Sequence, residues 1–224
     1  MATTLSEYTR TKVHRNDGLP PLVDLVPRSE MRVLDVGCGA GANARILSGR
    51  GHEVHGITLS QAEAEIVAPF VQSIHVLDVN NALPPFRDEF DALLFSHVLE
   101  HLSDPADVLT RYSRLLKPRS HVYIAVPNIM VWNRRLRHLL NRLELENGSL
   151  DMDPSHLRFF HLKSIQETVR SAGFIVTFCS VIGHIPQPGI RRVIPQISSR
   201  LDRLACSLAP DLFGFHLLVV AQKV

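Results

Sequence analysis

The sequence predicts an α/β fold, a doubly wound and mostly parallel seven-stranded sheet with helices on both faces and inserted helical lid segments. Three observations predict it. Short apolar runs alternate with amphipathic stretches from residue 31 to about 126. The first run ends in a glycine-rich turn that passes directly into a helical pattern. Two further apolar runs follow late in the chain. A parallel strand needs a crossover, usually a helix, to reach its neighbour, and these crossovers are right-handed.

The apolar runs at residues 32–36, 53–57, 73–77, 90–95 and 121–126 read as five buried parallel strands. Between them, residues 41–49, 60–71 and 104–116 carry apolar side chains at helical spacing. After Pro127 the rhythm changes. Residues 131–145 read as an inserted amphipathic helix, with Trp132, Leu136, Leu139, Leu140 and Leu143 on one side and Arg134, Arg135, Arg137 and Arg142 around it. A helix is expected over 162–172, a stop at Gly173, and a strand over 174–182. Pro186, Pro188 and Pro195 then interrupt the chain. A helix carrying Ile197, Leu201, Leu204 and Leu208 follows, and a last strand is expected over 213–221. One domain over residues 1–224 is expected, with 1–30 as an N-terminal cap and 128–161 and 183–210 as lid-like additions.

Composition narrows the function. A chain of 224 residues that is 45% hydrophobic can bury one good core. Lys plus Arg number 24 against 22 Asp plus Glu, so no global field argues for a nucleic-acid partner. Cys38, Cys179 and Cys206 form no CxxC pair, which argues against a disulfide framework or a structural zinc and for a reducing cytoplasm. No apolar run reaches the roughly 18 residues of a membrane span, and residues 1–17 are too polar for a signal peptide. Contact with a membrane surface stays open.

The decisive segment is Val33-Leu-Asp-Val-Gly-Cys-Gly-Ala-Gly41. Glycines at 37, 39 and 41 allow a tight turn and close approach of a ligand to the backbone, ahead of a helix N-terminus with unpaired N–H groups. The same letters satisfy the G-x-G-x-x-G/A dinucleotide fingerprint. Two neighbours weigh against that reading. Asp35 would oppose a pyrophosphate, and the second strand ends Gly56-Ile-Thr-Leu-Ser60 without the acid an NAD ribose requires.

Here the chain resembles the class I S-adenosylmethionine-dependent methyltransferases, whose first motif has the form of residues 33–41. Further motifs follow in order: His75-Val-Leu-Asp78-Val, the stretch FDALLFSHVLEHLSDP over 90–105, Leu115-Leu-Lys-Pro118, and then 122–128. The branch resembled contains ubiquinone-biosynthesis O-methyltransferases and methyltransferases of sugar and cell-surface polymer pathways. His156-Leu-Arg-Phe-Phe160 and Ala172-Gly-Phe174 support that placement. The resemblance implies S-adenosyl-L-methionine as cofactor. It places Asp35, Gly37, Cys38, Gly39 and Gly41 at its amino-acid end, Thr58, Leu59, Ser60 and Glu63 at its ribose, Asp78 and Val79 at its adenine, and Ser96 and His97 beside it.

The chain departs from this pattern at Thr58, where most members carry an acid. Gly56-Ile-Thr-Leu-Ser60 is similar instead to cyclopropane fatty-acid synthases and some natural-product sugar methyltransferases, in which a Gln at the position of Glu63 helps hold the cofactor.

Methyl transfer is an in-line displacement at an activated carbon, so the protein supplies alignment and, for a hydroxyl acceptor, a base. Candidate bases are His97, Glu100, His101, His156 and His161, of which His101 and His156 are favoured. His97-Val-Leu-Glu100-His101 has the letters of an inverted zinc-protease motif, but it abuts a strand end. The ubiquinone-pathway relatives hold a divalent cation with Glu, Glu and His at this spacing. His97 replaces the first Glu, and no metal is expected. Cys38 reads as a small turn residue.

The arginines of 131–145, with Arg191, Arg192, Arg200 and Arg203, are either solvated helix faces or a basic lid that admits an anionic sugar or lipid-linked acceptor. The expected activity is O-methylation of a small or carbohydrate-like hydroxyl. A lipid-modifying methyltransferase and a non-catalytic cofactor-binding partner protein are the alternatives. A nucleic-acid acceptor is not expected, since the fourth-strand loop lacks an Asn/Asp-Pro-Pro-aromatic motif.

Overall fold

A computed structural model describes residues 11, 13, 17–86, 90–141, 155–187 and 190–224. The central sheet has seven strands in the order β3-β2-β1-β4-β5-β7-β6. These are β1 (Arg32–Val36), β2 (Glu53–Thr58), β3 (Ser73–Val76), β4 (Phe90–Ser96), β5 (Leu116–Pro127), β6 (Phe174–Gly183) and β7 (Gly214–Lys223). The first five pair in parallel, and β7 runs antiparallel between β5 and β6.

The helices divide between two faces because side chains alternate along each strand. Val33, Ala92, Leu94, Tyr123 and Ala125 point to one core, which α1 (Pro20–Val23), α2 (Ala42–Gly49) and α3 (Gln61–Val67) close with Leu22, Leu47 and Val67. Leu34, Val36, Leu93, Phe95 and Ile124 point to the other, closed by α4 (Pro105–Ser113) and by α6 (Leu162–Ser171), which supplies Ile165 and Val169. The helix α5 spans Trp132–Asn141, and Leu109 and Tyr112 of α4 are fully buried. The remaining helices are α7 (Ile190–Val193), α8 (Pro195–Leu208) and α9 (Pro210–Phe213).

Several expected boundaries move for local reasons. The third strand is the outer edge rather than a buried strand, with Val76 44% exposed. The fifth begins at Leu116, opposite Phe90, and the register then jumps to Ala92 opposite His121. Arg119 sits at φ 62 within this bulge, and Lys117 Nζ donates to Asp91 Oδ1 at 2.6 Å, holding the bulged segment to β4. Helix α4 accordingly stops at Ser113. The segment expected as one helix over 60–71 is α3 followed by a 3₁₀ turn, Ala68–Phe70, that contains Pro69. The last strand starts one residue later than expected, because Pro210–Phe213 forms a helical turn. Residues 142–145 expected in the inserted helix, with Arg142 and Leu143, lie outside the described residues, as do Pro188, the side chains of Arg137, Leu139, Leu140 and Arg191, and residues 1–10, 12 and 14–16 of the N-terminal cap.

Candidate active site

The β1–α2 turn is built by its glycines. Gly37, Gly39 and Gly41 have φ of 74°, 53° and 84°, in the left-handed region that L side chains avoid. Cys38 N donates to Ile57 O at 2.8 Å, tying the turn to β2, and Gly41 N donates to Cys38 O at 2.9 Å. The turn opens onto a cavity of about 520 Å³, a size suited to a small-molecule ligand.

Of the residues singled out in the sequence, Gly37, Cys38, Gly39, Thr58, Leu59, Ser60, Glu63, Asp78, Val79, Ser96, His97 and His101 line this cavity. Gly41, Asp35 and His156 do not, and neither do the further candidate bases Glu100 and His161. Gly41 is the N-cap of α2, and a Cβ there would lie 2.3 Å from Val67 Cγ2, so its demand is helix packing. Asp35 is 1% exposed in the body of β1, beneath the turn. His156 stands behind His101, with ring centroids 4.7 Å apart.

Asp35 is nonetheless unusual. Neither carboxylate oxygen has a hydrogen-bond partner among the described residues, and burial pushes its pKa up to about 7. The same burial, reinforced by the charges of Asp35 and Glu63, raises the Cys38 thiol well above its ordinary value, which suits a packed turn residue and not a nucleophile.

The acid missing from the end of β2 returns from the next helix. Ser60 caps α3 by accepting from Glu63 N at 3.4 Å, which turns Glu63 toward the strand. Thr58 Oγ1 then donates to Glu63 Oε2 at 2.5 Å, and both side chains are buried against the cavity. Asp78 closes its own turn: Oδ1 accepts from Asn80 N at 2.9 Å, and Oδ2 from Asn81 Nδ2 at 2.7 Å.

Beside the glycine turn, where β4 ends next to β1, His97 leaves its strand with φ 56. Its Nδ1 lies 3.1 Å from Glu100 Oε1, and Glu100 is 1% exposed with Oε2 unpartnered among the described residues. His216 from β7 faces His97 at 5.0 Å between ring centroids, and burial, with the neighbouring His97, lowers its pKa to about 4. Leu157 N and Arg158 N donate to Glu100 O at 2.8 and 3.0 Å and strap residues 155–158 onto the turn that carries His101. His101 Nδ1 lies 3.1 Å from both the carbonyl oxygen and Oγ of Ser155, which fixes the ring at the cavity wall.

Glu100, His101 and His156 offer ligand atoms within 4.8 Å of one another, a donor set that suits a divalent cation. His161 takes another role, capping α6 through Ser164. Among the described residues, none of α5, α7 or α8 is on the cavity wall. Arg134 lies close enough to His216 to depress its pKa further, and Arg135 Nε donates to Met130 O at 2.5 Å.

Sequence reasoning missed Asn43, Ile57, Leu77, Asn80, Val98, Leu102 and Ser155 on the wall. Asn80 had a signal, since Asp78-Val-Asn-Asn81 has the letters of an Asx turn. Ser155 had none, because a contact with His101 across 54 residues leaves no local pattern.

No Lys or Arg lines the cavity among the described residues, while Glu63 and Asp78 do. That wall repels a pyrophosphate and fits a ligand bearing a sulfonium and an ammonium. The family profile described as "Methyltransferase domain" matches residues 13–178. The chain belongs to that family. This class I methyltransferase domain is 34% identical over 103 residues, 43% of its length, to the ubiquinone biosynthesis O-methyltransferase of Alkalilimnicola ehrlichii, of which the match covers 42%. The chain thus spans less than half the length of the curated relatives it matches. In fold, the methyltransferase is similar to a SAM dependent methyltransferase from Archaeoglobus fulgidus, at 20% identity and TM-score 0.61 over 88% of this chain and 87% of that one. It is also similar to a chain of the complex between the Haloferax volcanii Trm112 methyltransferase activator and a methyltransferase, at 21% identity and TM-score 0.64 over 91% and 88%. Among the described residues no helix is long and apolar enough to cross a membrane.

Proposed function

We propose that the chain binds S-adenosylmethionine in the cavity and transfers its methyl group to a hydroxyl of a small or carbohydrate-like acceptor. One observation carries the reading. The glycine turn, a wall lined by Glu63 and Asp78 without Lys or Arg among the described residues, and the imidazole of His101 all border one cavity. Similarity to ubiquinone biosynthesis O-methyltransferases favours oxygen as the acceptor atom. The cofactor supplies the activated carbon. The turn and Glu63 hold it, Glu100 orients His97, and His101 takes the acceptor proton as the new C–O bond forms, with His156 supporting it from behind.

Calorimetry tests binding of the cofactor and its demethylated product, and transfer of a labelled methyl group to fractionated small-molecule extracts tests turnover. His101→Gln is expected to leave cofactor affinity unchanged and to lower kcat by roughly a hundredfold or more, the usual worth of a general base. Because His101 cannot serve as base while it ligates a cation, activity is expected to survive chelators. Complete loss in EDTA with recovery on adding a divalent ion would instead assign Glu100, His101 and His156 to metal binding. Cofactor binding without transfer to any fraction would favour a partner protein over an enzyme.

A further inference from the structure

Helix α8 is mounted with its polar side inward. The residues it buries are Ser198, Asp202 and Cys206, at 1%, 7% and 7% exposure. Ile197, Leu201, Leu204 and Leu208, spaced i, i+4, i+7 and i+11, form a stripe on the solvent side at 48%, 38%, 56% and 77%, and Val193 and Ile194 extend it. Hydrogen bonds hold this orientation. Asp202 Oδ1 accepts from Ile185 N at 3.0 Å and from Gln187 Nε2 at 2.9 Å, while Gln187 Nε2 also reaches Ser198 O at 3.4 Å. The apolar stripe therefore faces outward because the polar side is specifically engaged.

The charges around the stripe have one sign. Arg192, Arg200 and Arg203 are exposed, and Asp202, which is buried, is the sole acid between residues 190 and 208. An apolar stripe flanked by guanidinium groups, with no carboxylate to repel phosphate, matches the interface of an anionic bilayer. The side chains enter the acyl boundary and the arginines meet the headgroups. The helix is also well placed. It lies between Gly183 at the end of β6 and Gly214 at the start of β7, which pair with each other at the carboxyl edge of the parallel strands. The glycine turn and His97 lie on that same edge, and His216, just inside β7, faces His97.

We propose that α7 and α8 form a docking surface for an anionic lipid bilayer. The full chain is mixed with vesicles of phosphatidylcholine alone or of phosphatidylcholine with phosphatidylglycerol, and pelleted. The wild type is expected to sediment with the anionic vesicles and to be released as salt rises. R200Q/R203Q is expected to lower partitioning on the order of 30-fold, and L201E/L204E to abolish it with an unchanged circular dichroism spectrum. L208W supplies a readout that does not depend on loss, since brominated lipid in the anionic vesicles should quench its added fluorescence. Wild-type protein that stays in the supernatant with both vesicles, or undiminished binding by L201E/L204E, overturns the proposal. So does a dimer that L201E/L204E converts to monomer without any vesicle binding, which would assign the stripe to a second copy of the chain.

Discussion

Two ionisable residues, Asp35, which is buried, and His216, which is half-buried, report on the site through pH. Asp35 has a folded pKa of about 7 against an ordinary value of 3.8, so the native state holds a proton that the unfolded chain has released. The stability this proton confers is complete below pH 4 and is lost as pH rises through about 7. At about 1.4 kcal/mol per pK unit, the loss is on the order of 4 kcal/mol at most. Asp35→Asn, which cannot ionise, is expected to melt higher than wild type at pH 8 and to flatten the decline, as read by calorimetry from pH 4 to 8 without cofactor. His216 acts in the opposite sense. Its folded pKa of about 4 lies below the ordinary 6.5, so stability rises with pH between those values, and His216→Asn should remove that rise. Glu63 is tested by affinity. Glu63→Ala removes the hydrogen-bonding group that Thr58 meets at the cavity wall, for an expected loss of about tenfold to a hundredfold in cofactor binding.

The glycine turn joins two demands that the letters alone do not separate. Gly37→Ala would bring a Cβ to 2.5 Å from Val98 Cγ2 on the cavity wall, whereas Gly41→Ala would drive one against Val67 in the α2–α3 packing. Gly41→Ala is expected to lower stability by about 2 kcal/mol or more while the folded fraction still binds cofactor. Gly37→Ala should lose cofactor affinity first; thermal melts with and without cofactor distinguish the two. The first, second and fourth strands were legible because their apolar runs are buried on both faces. The turn was legible because left-handed φ needs glycine. What could not be read was set by distant partners: the bulge at Arg119 depends on the register with Phe90, and the place of Ser155 depends on the Glu100 carbonyl. Helix α8 was legible as a helix but not in its orientation, since an apolar stripe ordinarily marks the buried side and here Asp202 takes that side.

For the molecule as a whole, both cores share one sheet, and β7 contributes to each, with Leu217 and Val219 on one face and Leu218 and Val220 on the other. Heat is therefore expected to unfold the sheet in one cooperative transition, with far-ultraviolet circular dichroism and tyrosine fluorescence reporting the same midpoint. The position of β7 has a further consequence for the chain as it is made. β6 leaves the ribosome some thirty residues before β7, yet β7 is its ladder partner, and β5 waits for the same strand. Until β7 emerges, two long strands hold open hydrogen-bonding edges, an invitation to pair with the wrong chain. The growing polypeptide is thus in particular need of chaperone protection between the emergence of β6 and that of β7.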